Sequence, residues 1–141
     1  MNRVAVVYWS GTGNTGSMAA AVAEGVMAQG AQADVWQAAK FDPALLDGYD
    51  AVAFGCPAMG AEELEEEEFA PMFAACEGKL RGRRMALFGS YGWGGGEWMR
   101  AWEAACRSAG AILAADGVTC CGAPDGAALA ACRALGAALA G

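Results

Sequence analysis

At 141 residues and 56% hydrophobic content, the chain can bury one sizeable core but is too short for two ordinary domains, so a single domain over residues 1–141 is expected. A formal net charge of −7 argues against nucleic acid and anionic lipid as partners and favours basic protein surfaces. The chain opens on a strand-like run without a basic leader, and no apolar run approaches the roughly 18 residues of a membrane span, so a cytoplasmic protein is expected.

Val4 to Val7 predict a first strand over residues 3–8, running into Tyr8-Trp9-Ser10-Gly11-Thr12-Gly13-Asn14-Thr15. Helical spacing follows over 14–29, then a strand over 33–37. Asp42-Pro43-Ala44-Leu45-Leu46-Asp47 supports only a short turn or a single helical turn before Gly48 breaks it. Ala51-Val52-Ala53-Phe54 marks a third strand over 51–55, apolar throughout and therefore suited to burial on both faces. A helix over 64–77, a strand over 84–89 and a helix over 96–109 come next. The last strand is read as one undivided run over 111–119, and an Ala-rich helix closes the chain over 125–140 with Leu129, Cys132, Leu135 and Leu139 towards the core. This alternation predicts a parallel sheet covered on both faces, a three-layer α/β sandwich.

In such a sheet, ligands sit beyond the carboxyl ends of the strands. After the first strand, Ser10, Thr12 and Thr15 offer hydroxyl protons, while Gly11 and Gly13 let successive backbone N–H groups face one point. The following helix aims its positive end at the same place. With no Lys or Arg between Val4 and Met27, an anion there meets backbone, hydroxyls and dipole alone. The loop is built for a phosphate.

The third strand is followed by Gly55-Cys56-Pro57-Ala58-Met59-Gly60-Ala61-Glu62. The fourth is followed by Gly89-Ser90-Tyr91-Gly92-Trp93-Gly94-Gly95-Gly96-Glu97-Trp98. Trp93, set among glycines, is either an anchor folded into the core or a plate for a planar ligand, and the close backbone approach that glycine permits favours the plate. Met59 is either a core filler or a soft contact for a ring. Trp98, Trp102 and Cys106, four apart, belong to a core face, as do Phe69, Met72, Phe73 and Cys76. The acidic run from Glu62 to Glu68 reads as a solvated helix start, or alternatively as a negative docking rim.

The six cysteines include no Cys-x-x-Cys pair and the chain has no histidine, so zinc and iron–sulfur spacings are absent, and so are Ser-His and Cys-His catalysis. Reduced thiols acting as small core residues are expected. Gly11-Thr12-Gly13-Asn14-Thr15-Gly16 also matches the G-x-G-x-x-G dinucleotide pattern. That reading needs an acid at the end of the second strand, whereas Asp34 falls near its beginning. A signalling receiver domain would place clustered acids where Tyr8, Trp9 and Ser10 stand.

The three loops resemble those of flavodoxins, in particular the short-chain flavodoxins of strict anaerobes, in which Tyr-Trp-Ser-Gly-Thr-Gly-Asn-Thr, Gly-Cys-x-Ala-Met-Gly-x-Glu and Leu-Phe-Gly-Ser-Tyr-Gly-Trp-Gly recur. The resemblance implies a flavodoxin-like sandwich with a five-stranded parallel sheet in the order 2-1-3-4-5, and non-covalently bound FMN. It implies that Ser10, Gly11, Thr12, Gly13, Asn14 and Thr15 surround the phosphate. Pro57, Ala58, Met59, Gly60, Ala61 and Glu62 would lie along one side of the ring system, with Met59 against a face and Glu62 accepting from flavin N3–H. Ser90, Tyr91, Gly92, Trp93 and Gly94 would form the other side, with Trp93 stacked on the ring.

Two positions depart from common family patterns. Pro57 stands where some members place a serine that also touches phosphate. Ala61 stands next to Gly60, in a turn that in the family takes type II geometry on reduction; a residue with Cβ costs about 1 kcal/mol there relative to glycine. Ala61→Gly is therefore expected to raise the first reduction potential by about 40 mV, read by spectroelectrochemical titration; no upward shift would remove the argument.

The function the resemblance implies is a low-potential one-electron carrier between redox enzymes that ferredoxins also serve, a monomer that catalyses nothing alone. The alternative is an FMN-dependent NAD(P)H or quinone reductase of related fold, which needs room for nicotinamide over the flavin where Trp93 would cap it.

Overall fold

The apolar runs of the sequence become the middle of a parallel sheet. The computed structural model describes residues 2–59, 63–92 and 96–141. Strands β1 (Arg3–Tyr8), β2 (Gln32–Gln37), β3 (Ala51–Gly55) and β4 (Arg84–Tyr91) pair in the order β2-β1-β3-β4, all parallel. Two short strands, β5 (Ile112–Leu113) and β6 (Val118–Cys121), pair in parallel with the free side of β4. The order 2-1-3-4-5 is as expected.

Successive side chains of a strand point to opposite faces, and that alternation divides the core in two. Val4 and Val6 join Ala51, Ala53 and Phe88 beneath helices α1 (Asn14–Ala28) and α4 (Gly126–Ala140). Ala5 and Val7 join Val52, Phe54, Met85 and Leu87 beneath α2 (Phe69–Cys76) and α3 (Glu97–Ser108). Trp98, Trp102 and Cys106 are buried on α3, as their spacing predicts. Trp102 meets Phe69 and Phe73 edge-on, with centroids 5.4 and 5.6 Å away, the arrangement that aromatic quadrupoles favour. The outer strand β2, by contrast, is only half-buried.

The second crossover carries no α-helix. Two 3-10 turns, Ala38–Lys40 and Pro43–Gly48, replace it, and Asp42 caps the second by accepting from Ala44 N–H at 2.8 Å.

Two expectations need correction. The last strand is not one undivided run over 111–119: Arg84 and Met85 pair with Ile112 and Leu113, but Phe88 pairs with Val118, so the register slips by two residues between β5 and β6. The extra residues bend out where Gly117 N–H donates to Glu103 Oε2 at 2.7 Å, and a Cβ at Gly117 would lie 2.6 Å from Met99 Sδ. The interruption is thus fixed by α3, through contacts distant in sequence.

The second correction concerns α2, which starts at Phe69 rather than near residue 64. Its start is set by Glu65, which turns inward instead of joining the solvated acids around it.

Of the cysteines, Cys56, Cys76, Cys106 and Cys132 are buried, Cys120 is half-buried and Cys121 exposed, and all six are free thiols. The expected core role therefore holds for four. Burial pushes the Cys56, Cys106 and Cys132 thiols up to about 12 and Cys76 up to about 11, far from the thiolate form that reacts. Among the described residues no helix is long and apolar enough to cross a membrane.

Candidate functional site

Beyond the carboxyl ends of β1, β3 and β4 lies a cleft of about 240 Å³. The first loop contributes Trp9, Ser10, Gly11, Thr12, Asn14 and Thr15, the second Pro57, Ala58 and Met59, the third Ser90, Tyr91 and Gly92, and the turn after β6 adds Gly122. Three loops singled out in the sequence therefore meet at one place. Gly13 lies on a neighbouring cavity behind the first loop. Gly60, Ala61, Glu62, Trp93 and Gly94 lie outside the described residues.

The loops are held by sheet pairing that continues past the strands. Trp9 N–H donates to Gly55 O at 3.0 Å, Cys56 N–H to Phe88 O at 3.1 Å, Ala58 N–H to Ser90 O at 3.0 Å and Gly122 N–H to Tyr91 O at 2.8 Å. Met59 and Glu63 then close an antiparallel bridge, with N–H to O distances of 2.8 and 2.9 Å. Rigid backbone, not loop length, thus sets the spacing between the walls.

The first loop folds around its own hydroxyl. Ser10 Oγ accepts from Gly13 N–H at 3.1 Å and Gly16 N–H at 3.2 Å, which leaves its proton to donate outward. Gly13 precedes α1 with φ 95°, in the left-handed region that favours glycine, and the first turn of α1 holds no acidic residue. Neither Lys nor Arg lines the cleft among the described residues. The chemistry on offer is hydroxyl protons, backbone N–H groups and the positive end of α1, all suited to an anion.

Deeper in the cleft, Thr15 Oγ1 and Ser90 Oγ lie 3.2 Å apart, both residues buried. Trp9 and Gly122 are lining residues that the sequence reading did not select. Trp9 stands inside the first motif, and its ring covers Gly11, where a Cβ would lie 3.0 Å from it. Its indole N–H donates to Glu68 Oε1 at 2.9 Å, tethering the first loop to the acidic segment. Gly122 carried no signal, because the last strand ends at Cys121, beyond the run expected over 111–119.

Behind the second loop sits Glu65. Its carboxylate accepts from Glu67, Glu68 and Phe69 N–H, each at 2.8 Å, and its own N–H donates to Cys56 Sγ at 3.3 Å. Burial pushes this carboxyl up, but the three backbone donors, Phe69 first, outweigh it and hold it below its ordinary value of 4.5. A carboxyl depressed in the folded state stabilises above its unfolded pKa, and that stability is lost as pH falls through the folded pKa. Glu65→Gln is expected to cost about 1 kcal/mol at pH 7, with the gap to the parent closing towards pH 3. Urea unfolding of both proteins at the two pH values checks this; a gap that stays constant would show the charge to be irrelevant.

Among the described residues no group of three or more Cys, Asp or Glu is placed to hold a metal ion.

The chain matches the family model described as Flavodoxin over residues 6–136. It is 44% identical over 113 residues to the flavodoxin of Megasphaera elsdenii, covering 78% of this chain and 80% of that one. It is 42% identical over 108 residues to the flavodoxin of Clostridium beijerinckii, covering 77% and 78%. Among solved structures, it is similar to the two-electron reduced Megasphaera elsdenii flavodoxin, with a TM-score of 0.90, 41% identity and coverage of 97% of this chain and 98% of that one.

Proposed function

The chain belongs to the flavodoxin family, and on that premise we propose that it works as a low-potential shuttle, handing single electrons between larger redox enzymes in place of a ferredoxin. It is an FMN-binding electron carrier, not an enzyme. The observation that carries the reading of the site is the meeting of three motif-bearing loops at one cleft whose donors are hydroxyls and backbone N–H groups. That donor set fits a phosphate attached to an uncharged ring system.

Ser10, Thr12, Asn14 and Thr15 hold the phosphate through their side chains, with Gly11 and Gly13 admitting it to the start of α1. Met59, with Pro57 and Ala58, lines one side of the ring, and Ser90, Tyr91 and Gly92 the other. Gly60, Ala61, Glu62, Trp93 and Gly94 complete the contacts on the strength of the family motifs. Bound FMN supplies reversible one-electron chemistry. The chain tunes it electrostatically: the protein is acidic, with net charge −7, and no cation lines the described cleft, so added negative charge is disfavoured. Each uncompensated charge about 12 Å away, at an effective dielectric of about 40, contributes on the order of 0.7 kcal/mol, or about 30 mV.

Its redox partners present basic surfaces to the exposed acids Glu63, Glu66, Glu67 and Glu68 beside the cleft. It acts as a monomer in the cytoplasm.

Anaerobic titration with dithionite, followed by absorbance from the near ultraviolet to the red, tests the reading. Two separate one-electron steps are expected, with a red absorbance that rises through the first and falls through the second. Bleaching in a single two-electron step would favour a reductase. A colourless protein that refuses added FMN would overturn the site.

A further inference from the structure

Thr15 and Ser90 come from opposite sides of the cleft, one from the first turn of α1 and the other from the end of β4, and their hydroxyls meet at 3.2 Å. Both residues are almost wholly buried, at 1% and 5% exposure. A hydroxyl has one proton to give and two lone pairs to receive with. In a buried pair, one proton is used within the pair and the other is left to point outward. Which residue keeps the outward proton depends on where an acceptor sits. An anion at the start of α1, beside Ser10 and Thr12 in the cleft, draws on Thr15, because Thr15 belongs to that turn and Ser90 does not.

On the FMN reading above, we infer that Ser90 is a positioning residue for the phosphate: its hydroxyl donates to Thr15 Oγ1 and thereby turns the Thr15 proton onto the phosphate. The backbone prepares Ser90 for this. Its carbonyl accepts from Ala58 N–H at 3.0 Å, so its position is fixed from the second loop as well as from β4. The local chemistry makes the single proton matter. No Lys or Arg occurs between Val4 and Met27, and Pro57 contributes neither a hydroxyl nor a backbone N–H. With Thr15 unaligned, no cation of the first loop and no donor from Pro57 makes up for the lost proton, and only the remaining hydroxyls and backbone N–H groups of the loop are left.

The test uses the full-length chain, stripped of bound flavin, and two ligands that differ only in the phosphate: FMN and riboflavin, each titrated by flavin fluorescence. Ser90→Ala is expected to weaken FMN about tenfold while changing riboflavin by less than twofold. Thr15→Val is expected to do the same, and the double variant to be no weaker than Thr15→Val alone, since the two hydroxyls act as one unit. The phosphorus resonance of bound FMN should shift in Ser90→Ala, a signal that a general loosening of the fold does not give selectively. Ser90→Cys, a weaker donor of similar volume, should fall between the parent and Ser90→Ala, and it serves if the alanine variant does not fold. Equal weakening of FMN and riboflavin, unchanged FMN affinity, or strictly additive losses in the double variant would each overturn the inference. Failure of the parent chain to bind FMN at all would instead sink the flavodoxin reading of the site, and this inference with it.

Discussion

Gly136→Ala is expected to destabilise the protein by about 2–3 kcal/mol, although alanine is the better helix former by about 1 kcal/mol. A Cβ on Gly136 would lie 2.0 Å from the Val22 carbonyl oxygen and 2.9 Å from Val26 N, both backbone atoms of α1. The contact is reciprocal: a Cβ on Gly25 of α1 would lie 1.9 Å from the Arg133 carbonyl oxygen of α4. The two helices therefore cross backbone to backbone, and neither partner can swing aside as a side-chain tip would. Overpacking of this kind forces the helices apart and withdraws apolar contact from Val4, Val6 and Phe88 beneath them.

Gly126→Ala in the same helix is the control, because a Cβ there meets nothing within 4 Å. It is expected to be neutral or to stabilise by about 0.5 kcal/mol. Urea unfolding of the two variants beside the parent gives the comparison. A Gly136→Ala protein as stable as the parent would mean that α1 and α4 can separate without loss. Because α1 begins at the first loop, its displacement should also lower FMN affinity.

Much of this architecture was legible in the residues. The runs at Val4–Val7 and Ala51–Phe54 are apolar at every position, which only strands covered on both faces need, and they became the buried strands β1 and β3. The four-residue spacing of Trp98, Trp102 and Cys106 marked the inner face of α3 because helical geometry is local. What the sequence concealed depends on contacts between distant segments. Seven residues from Glu62 to Glu68, six of them acidic, read alike, yet among the described residues of that run, 63–68, Glu65 alone is buried; its role follows from where Cys56 and the start of α2 stand. The two-residue slip between β5 and β6 follows from Gly117 meeting Met99 and Glu103. In the same way, Gly25 and Gly136 look like ordinary members of Ala-rich helices until the helices cross. For the site, the hydroxyl and glycine loops were readable because donor chemistry is written in residue types. The pairing of Thr15 with Ser90, 75 residues apart, was not.

Gly89→Ala is expected to damage stability and cofactor binding together. Gly89 lies in β4 between Phe88 and Ser90, and a Cβ there would lie 2.1 Å from the Cys56 carbonyl oxygen and 3.0 Å from its carbon. That carbonyl also accepts from Trp98 Nε1 at 3.4 Å, so it is held from both sides. To admit a methyl group, the segment after β3 must lift away from β4, which strains the bonds from Cys56 N–H to Phe88 O and from Ala58 N–H to Ser90 O. Those bonds set the distance between the two walls of the cleft, Pro57 to Met59 on one side and Ser90 to Gly92 on the other. A cost of about 2–3 kcal/mol in stability is expected, with FMN affinity lowered at least tenfold, about 1.4 kcal/mol. Gly55→Ala provides the contrast. Its Cβ would lie 2.1 Å from the Phe88 ring, a side chain packed under α1 and α4 on the face of the sheet away from α2 and α3. That variant should lose comparable stability while keeping more of its FMN affinity, because the displaced atoms belong to the core and not to a cleft wall. Urea midpoints and FMN dissociation constants for both variants separate the two effects. If affinity falls equally for equal losses of stability, the wall spacing set by Gly89 carries no special weight in binding.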